Sequence, residues 1–184
     1  MSSGINLLLS PHNDDECLFV SYTLIREKPL VVIITDSDLQ IDFGVTAEHR
    51  REESRRGCEL LGVPVVFLGL KDGSLNEADL TRRLKSFNDL QWKRVYAPAI
   101  QGGHPDHDLI GKVAFSVFHR VSLYATYALG EKFTPVGEEV SPTQNEIDLK
   151  NKALDCYASQ IGLIENKKHF DAVRGKPEYL ISPQ

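Results

Sequence analysis

Two short stretches of the chain concentrate residues that bind metals and move protons: Ser10-Pro-His-Asn-Asp-Asp-Glu16 and Gly102-Gly-His-Pro-Asp-His107. His12 and Asp15 are three apart, as are His104 and His107. Side chains at i and i+3 in a first helical turn point the same way, with Cβ atoms about 5–6 Å apart, so each stretch can supply convergent ligands. Two imidazoles and one carboxylate around an open position form the ligand set of many catalytic zinc sites, where water takes the fourth place. Fe2+, Co2+ or manganese suits similar ligands. Asp14 and Asp15 are consecutive and project about 100° apart on a helix. One carboxylate can therefore ligate while its neighbour faces the activated water and takes its proton. The same residues also suit plain helix starts: residues 13–16 offer an N-cap and first-turn acids, and His-Pro-Asp-His a turn leading into a cap.

The elements that must position these stretches follow from the alternation of short β-branched runs with amphipathic segments, the pattern of repeated βαβ units. Strands are expected at 6–10, 29–36, 64–70, 94–100 and 121–129, with helices at 14–27, 47–61, 77–88 and 106–119. Continuous apolar character in the second and third strands fits burial on both faces. After residue 130 the pattern loosens to a connection over 131–142, a helix over about 144–159 and a short strand near 179–181. The expected fold is one α/β domain spanning residues 1–184, a three-layer Rossmann-like arrangement with a mostly parallel sheet and helices on both faces. In the common strand order 3-2-1-4-5, ligands bind outside the carboxyl ends of strands 1 and 4. Both His/Asp stretches lie there and are expected to face each other, which favours the metal site over two unrelated caps.

Composition narrows the partners. A net charge of -5, from 21 Lys+Arg against 26 Asp+Glu, with no basic stretch, argues against nucleic acid as the main partner. No apolar run approaches the roughly 20 residues needed to span a bilayer, and the N-terminus lacks a signal-peptide pattern. Cys17, Cys58 and Cys156 are far apart and odd in number, as expected of reduced thiols in a cytoplasmic protein. His49, His119 and His169 have no partner at ligand spacing and are expected at the surface or at helix termini. A domain of 184 residues needs no metal in order to fold, so a metal here serves chemistry.

These motifs resemble the LmbE-like, or PIG-L, family of metal-dependent N-deacetylases acting on N-acetylglucosamine-type substrates. Ser10–Glu16 is similar to the family's first motif, and His104-Pro-Asp-His107 matches its second. Arg50-x-x-Glu53-x-x-x-Gly57-x-x-x-Leu61-Gly62 resembles its helix pattern, and Lys150 to Gln160, with Tyr157 and Ser159, its C-terminal segment. The resemblance implies that His12, Asp15 and His107 bind Zn2+, that Asp14 is the general base, that His104 stabilises the oxyanion and that Asp106 orients or tunes His104. It also implies that Arg50 holds a sugar hydroxyl or a phosphate. The implied substrate is an N-acetylated amino sugar or its conjugate; the alternatives are another metal-dependent amide or phosphoester hydrolase and a non-catalytic sugar-binding relative.

The sequence departs from the family pattern at three places. Asn13 stands where Pro is usual, Gly57 replaces a small Ala at a propensity cost of about 1 kcal/mol, and Asp36-Ser37-Asp38 replaces a Gly-containing turn. The chain is also shorter than many members, leaving the loops 37–46 and 130–142 as candidate substrate walls. A short, open site suits a bulky acceptor.

Overall fold

Burial alternates along the central strands and separates two cores. The computed structural model describes residues 4–37, 44–126 and 137–181. The first strand, β1 (Leu7–Ser10), turns Leu8 to one face and Leu7 and Leu9 to the other. Strands β2 (Leu30–Thr35), β3 (Val65–Leu70), β4 (Val95–Pro98) and β5 (Val121–Tyr124) run parallel to it, and β6 (Glu138–Val140) and β7 (Glu178–Ile181) complete the sheet. The order is β3-β2-β1-β4-β5-β7-β6, with β7 antiparallel to both β5 and β6. The strand order expected for the first five strands is therefore the observed one, and the result is one α/β domain with a mostly parallel mixed sheet.

Helices cover both faces. Leu8, Val31, Ile33 and Tyr96 pack beneath α1 (Asp15–Phe19), α2 (Ser21–Glu27), α3 (Ala47–Leu61), α6 (Gln144–Leu154) and α8 (Ile164–Val173). Leu7, Leu9, Val32, Val95 and Leu123 pack beneath α4 (Glu77–Lys85) and α5 (Pro105–Val117). A single turn, α7 (Ala158–Ile161), links α6 to α8.

Several expectations are corrected. The helix expected over 14–27 is two helices broken at Val20, which has φ -144° and ψ 20°. The break leaves backbone groups for distant partners: Lys150 Nζ donates to Leu18 O at 2.9 Å, and Tyr22 N–H donates to Glu178 Oε2 at 2.9 Å. Side chains inserted into the helical ladder are a recognised cause of such breaks. Strand β3 is not buried on both faces, because it is the sheet edge; Val66 is exposed and Phe67 lies under the Arg55 guanidinium, 5.1 Å from its ring centroid. The helix expected over 144–159 ends at Leu154, and β6, α7 and α8 were not foreseen. Residues 127–129 of the fifth expected strand lie outside the described residues, as do 38–43 and 130–136 of the two candidate walls.

Candidate active site

The site forms where β1 and β4 lie side by side and their following loops meet. His12 and Asp15 come from the first loop and the start of α1, and His104 and His107 from the loop and first turn of α5. Asp15 Oδ2 lies 2.9 Å from His12 Nδ1 and 3.0 Å from His107 Nε2, and the two ring nitrogens are 3.2 Å apart. A tetrahedral ion with ligands at roughly 2.0–2.1 Å needs ligand atoms about 3.3 Å apart, so this near-equilateral triangle fits one face of such a site. A ring nitrogen of His104 also lies within 4.8 Å of those of His12 and His107. Asp15 Oδ2, at 2.9 and 3.0 Å from the two imidazoles, completes a tight donor set.

Outer contacts fix which nitrogens are free to bind. His12 Nε2 lies 3.2 Å from Asp72 Oδ1 and 3.5 Å from Asp106 Oδ2, carboxylates that can hold a proton on that nitrogen when Nδ1, which faces Asp15, gives up its own to bind a metal. Thr126 Oγ1 donates to Gln101 Oε1 at 3.1 Å and accepts from His107 Nδ1 at 3.2 Å, leaving the Nε2 lone pair toward the same point. Carboxylate and hydroxyl partners of this kind set tautomer and ring orientation in metal sites. Burial opposes charge on His12, yet the carboxylates of Asp106, Asp15 and Asp72 carry its pKa well above the ordinary value. Asp15 is also buried, and the facing His107 and His12 hold its pKa far below the carboxylate range. Such a pocket attracts positive charge.

Asp14 is the residue before α1, but its side chain makes no capping bond, so it is not there to start the helix. Its Oδ2 accepts from Arg50 at 2.8 Å. Burial, with the neighbouring charge of Asp15, pushes its pKa up to about 6 against the opposing pull of Arg50. That places it in the range suited to a general base near neutrality. His104 does cap its helix: its Nδ1 accepts from Asp106 N–H at 3.2 Å. Burial and the charges of His12 and His107 lower its pKa, so the neutral ring carries its proton on Nε2 as a donor. Asp106 was expected to orient His104. Its tie to that ring is the backbone N–H, while its carboxylate faces His12 and accepts from Gly73 N–H at 2.8 Å.

Arg50, expected to hold substrate, borders the cavity over the site, and its guanidinium is engaged by protein groups. It is 2% exposed, and its guanidinium donates to Asp14, to the Asn13 carbonyl and, at 3.3 Å, to Glu53 Oε2. Glu53 also accepts from the Ser159 N–H and hydroxyl, at 2.7 and 2.6 Å. The helix motif and the C-terminal motif are thus two halves of one buried joint behind Asp14.

The two departures flanking the first loop are coupled. Asn13 donates to Ser37 Oγ through both its backbone N–H, at 2.9 Å, and Nδ2, at 3.2 Å; a proline has no N–H to give. Ser37 stands at φ 51°, the left-handed conformation that a glycine turn adopts freely, and these bonds hold it there.

A cavity of about 320 Å³ opens over the site. Its lining includes the polar Asp14, Asp72, His104 and Gln101 together with Leu18, Phe19, Phe170 and His169. Sequence reasoning missed Asp72, Gln101 and Thr126, and it placed His169 at the surface or a helix terminus. The chain offered no local spacing to join any of these residues to the two motifs.

Residues 7–118 match the family model described as GlcNAc-PI de-N-acetylase, PIG-L. The chain belongs to the PIG-L family. Among curated proteins, no sequence matches it. Three solved structures show the same fold as this PIG-L chain. The conserved protein TT1542 from Thermus thermophilus is 23% identical, with TM-score 0.77, 97% of this chain covered and 94% of that one. GalB, the 4-carboxy-2-hydroxymuconate hydratase from Pseudomonas putida, is 15% identical, with TM-score 0.76 and coverage of 98% and 97%. The N,N'-diacetylchitobiose deacetylase from Pyrococcus horikoshii is 20% identical, with TM-score 0.72 and coverage of 95% and 82%. The match to the PIG-L model takes in both His/Asp motifs and the Arg50 helix.

Proposed function

We propose that this PIG-L chain is a metal-dependent N-deacetylase that hydrolyses the acetamide of an N-acetylglucosamine-type sugar or conjugate. The observation that carries the reading is the triangle of His12 Nδ1, Asp15 Oδ2 and His107 Nε2, with sides of 2.9–3.2 Å, beside a carboxylate with a pKa of about 6. Family membership and the fold shared with the chitobiose deacetylase support it. His12, Asp15 and His107 would hold Zn2+ or another divalent ion such as Fe2+ or Co2+. When bound, the ion supplies Lewis acidity toward water and the acyl oxygen.

The chain's own groups perform the proton transfers. Asp14, with Oδ2 held by Arg50, takes the proton of the attacking water and passes it to the leaving nitrogen. His104 donates from Nε2 to the oxygen on which negative charge develops. Asp106 and Asp72 keep the His12 lone pair aimed inward. The acceptor sugar lies along the cavity, with any apolar substituent against Leu18, Phe19 and Phe170. No helix among the described residues is long and apolar enough to cross a membrane. Cys17, Cys58 and Cys156 are all free thiols, which supports a cytoplasmic setting.

The test is amine release from a panel of N-acetylated sugars and conjugates, with and without a chelator, alongside metal analysis of the purified protein. The reading expects chelator-sensitive release and one divalent ion per chain. No amine from any member with the ion bound would overturn it and turn attention to another amide or to a hydration reaction.

A further inference from the structure

A buried chain of contacts runs from α6 and α7 to the backbone of the catalytic loop, and its outer members, Tyr157 and Glu16, do not line the cavity. Tyr157, fully buried between α6 and α7, donates from its hydroxyl to Glu16 Oε1 at 2.5 Å. The other carboxylate oxygen, Oε2, accepts from Asp14 N–H and from Ser10 Oγ, both at 3.1 Å. Asp14 N–H is shared with His12 O, also at 3.1 Å. Asp14 stands at φ 157° and ψ -27°, outside the regions an L residue ordinarily adopts. An unusual backbone of this kind persists only where its surroundings hold it.

Gly57 explains how the hydroxyl gets there. A Cβ at position 57 would sit 2.9 Å from the Tyr157 hydroxyl oxygen and 3.1 Å from Cys17 Sγ. The missing methyl in α3 is the space through which the phenol reaches Glu16. The propensity cost of glycine inside a helix thus has a structural return.

We propose that Tyr157, acting through Glu16, is a positioning residue for Asp14: the hydroxyl fixes one carboxylate oxygen so that the other holds the Asp14 backbone in its unusual conformation. The inference rests on Asp14 being the general base of the proposed reaction. Misplacing a reacting group by about 1 Å costs on the order of a hundredfold in rate, so loosening this link is expected to lower kcat by about tenfold or more.

The experiment uses the metal-loaded protein and the variants Tyr157→Phe, Gly57→Ala and the double variant, each first shown to be folded by circular dichroism. Two quantities are read: hydrogen exchange at the Asp14 amide, and kcat and KM for amine release. Tyr157→Phe is expected to speed Asp14 exchange and to lower kcat, with KM within about twofold of wild type and metal content unchanged. Gly57→Ala, which displaces the hydroxyl, should do the same. Adding Tyr157→Phe to Gly57→Ala should cause no further loss, because the clash and the bond vanish together. Wild-type exchange at Asp14 in Tyr157→Phe, or faster exchange with unchanged kcat, overturns the inference. If the wild-type protein releases no amine at all, the proposed function fails, while the exchange measurement still decides whether Tyr157 holds Asp14. Should Tyr157→Phe not fold, Glu16→Ala is measured in the same way. It leaves Asp14 N–H without its carboxylate acceptor, so it carries the same expected result and the same refutation.

Discussion

Replacing Lys150 by Met removes the positive partner of a buried ion pair that also shapes the catalytic loop's helix. Lys150 and Glu178 are 1% and 4% exposed, with Nζ 2.8 Å from Oε1. The ammonium also donates to Leu18 O and lies 4.8 Å from the Tyr22 ring centroid, while Glu178 takes Tyr22 N–H. These contacts occupy the break between α1 and α2, and α1 begins at Asp15. Methionine matches the aliphatic stem but leaves Glu178 buried without its cation, a change that costs about 3–5 kcal/mol. That is a large part of the roughly 5–15 kcal/mol by which a domain of this size is stable.

The sign of the pH dependence follows from Glu178, whose pKa is already raised by burial against the opposing pull of Lys150. Without Lys150 it rises further, so the folded form keeps a proton that the unfolded chain loses above about pH 4.5. The deficit of Lys150→Met is therefore small near pH 4.5 and grows as the pH rises toward 8. Urea unfolding at both pH values, followed by the fluorescence of the single Trp92 and by circular dichroism, measures it. Adding Glu178→Gln should restore on the order of 2 kcal/mol at pH 8, because Gln can still accept from Tyr22 N–H. At pH 8, a deficit below about 1 kcal/mol, or a double variant no more stable than Lys150→Met, would refute the reasoning.

Arg50→Met should lower kcat by at least about tenfold while KM stays within about twofold, because Arg50 donates to Asp14 Oδ2; a rise in KM at constant kcat would assign it to the sugar. Arg26→Leu should cost about 0.5–1 kcal/mol near pH 7, discounted for the exposure of Arg26. Glu146, whose pKa that arginine holds near 2, loses this contribution as the pH falls from about 4.5 toward 2. Thermal melts at pH 7 and pH 3 check it. Ser37→Ala should destabilise by about 1–3 kcal/mol, since buried Asn13 loses its acceptor, and Ser37→Gly should cost less because glycine adopts φ near 51° freely; their unfolding midpoints give the comparison.

The parts legible in the sequence were those encoded locally. Period and β-branching marked the parallel strands, and the rule for the switch point brought together two loops some ninety residues apart. The i, i+3 spacing of His12 with Asp15 and of His104 with His107 then supplied convergent groups. What stayed hidden depends on partners far apart in the chain. The break at Val20 is written in Lys150 and Glu178, and the lone-pair directions of His12 and His107 in Asp72, Gln101 and Thr126. Arg50 carried the right residue type but an unreadable partner, since a guanidinium suits Asp14 as well as it suits a sugar. Charged Glu138 and Glu139 in β6, and a sparse apolar face on α8, gave too little pattern to announce those elements, so the wall containing His169 and Phe170 went unseen.

The central claim is that Asp14 moves the proton at a metal centre built by its neighbours. Asp14→Asn is nearly isosteric, keeps an oxygen for Arg50 and leaves His12, Asp15 and His107 unchanged. With metal content measured in the same sample, it is expected to retain one divalent ion per chain and to lose about 10²–10⁴-fold in the rate of amine release. A variant that keeps the ion and turns over within about twofold of wild type would contradict the account.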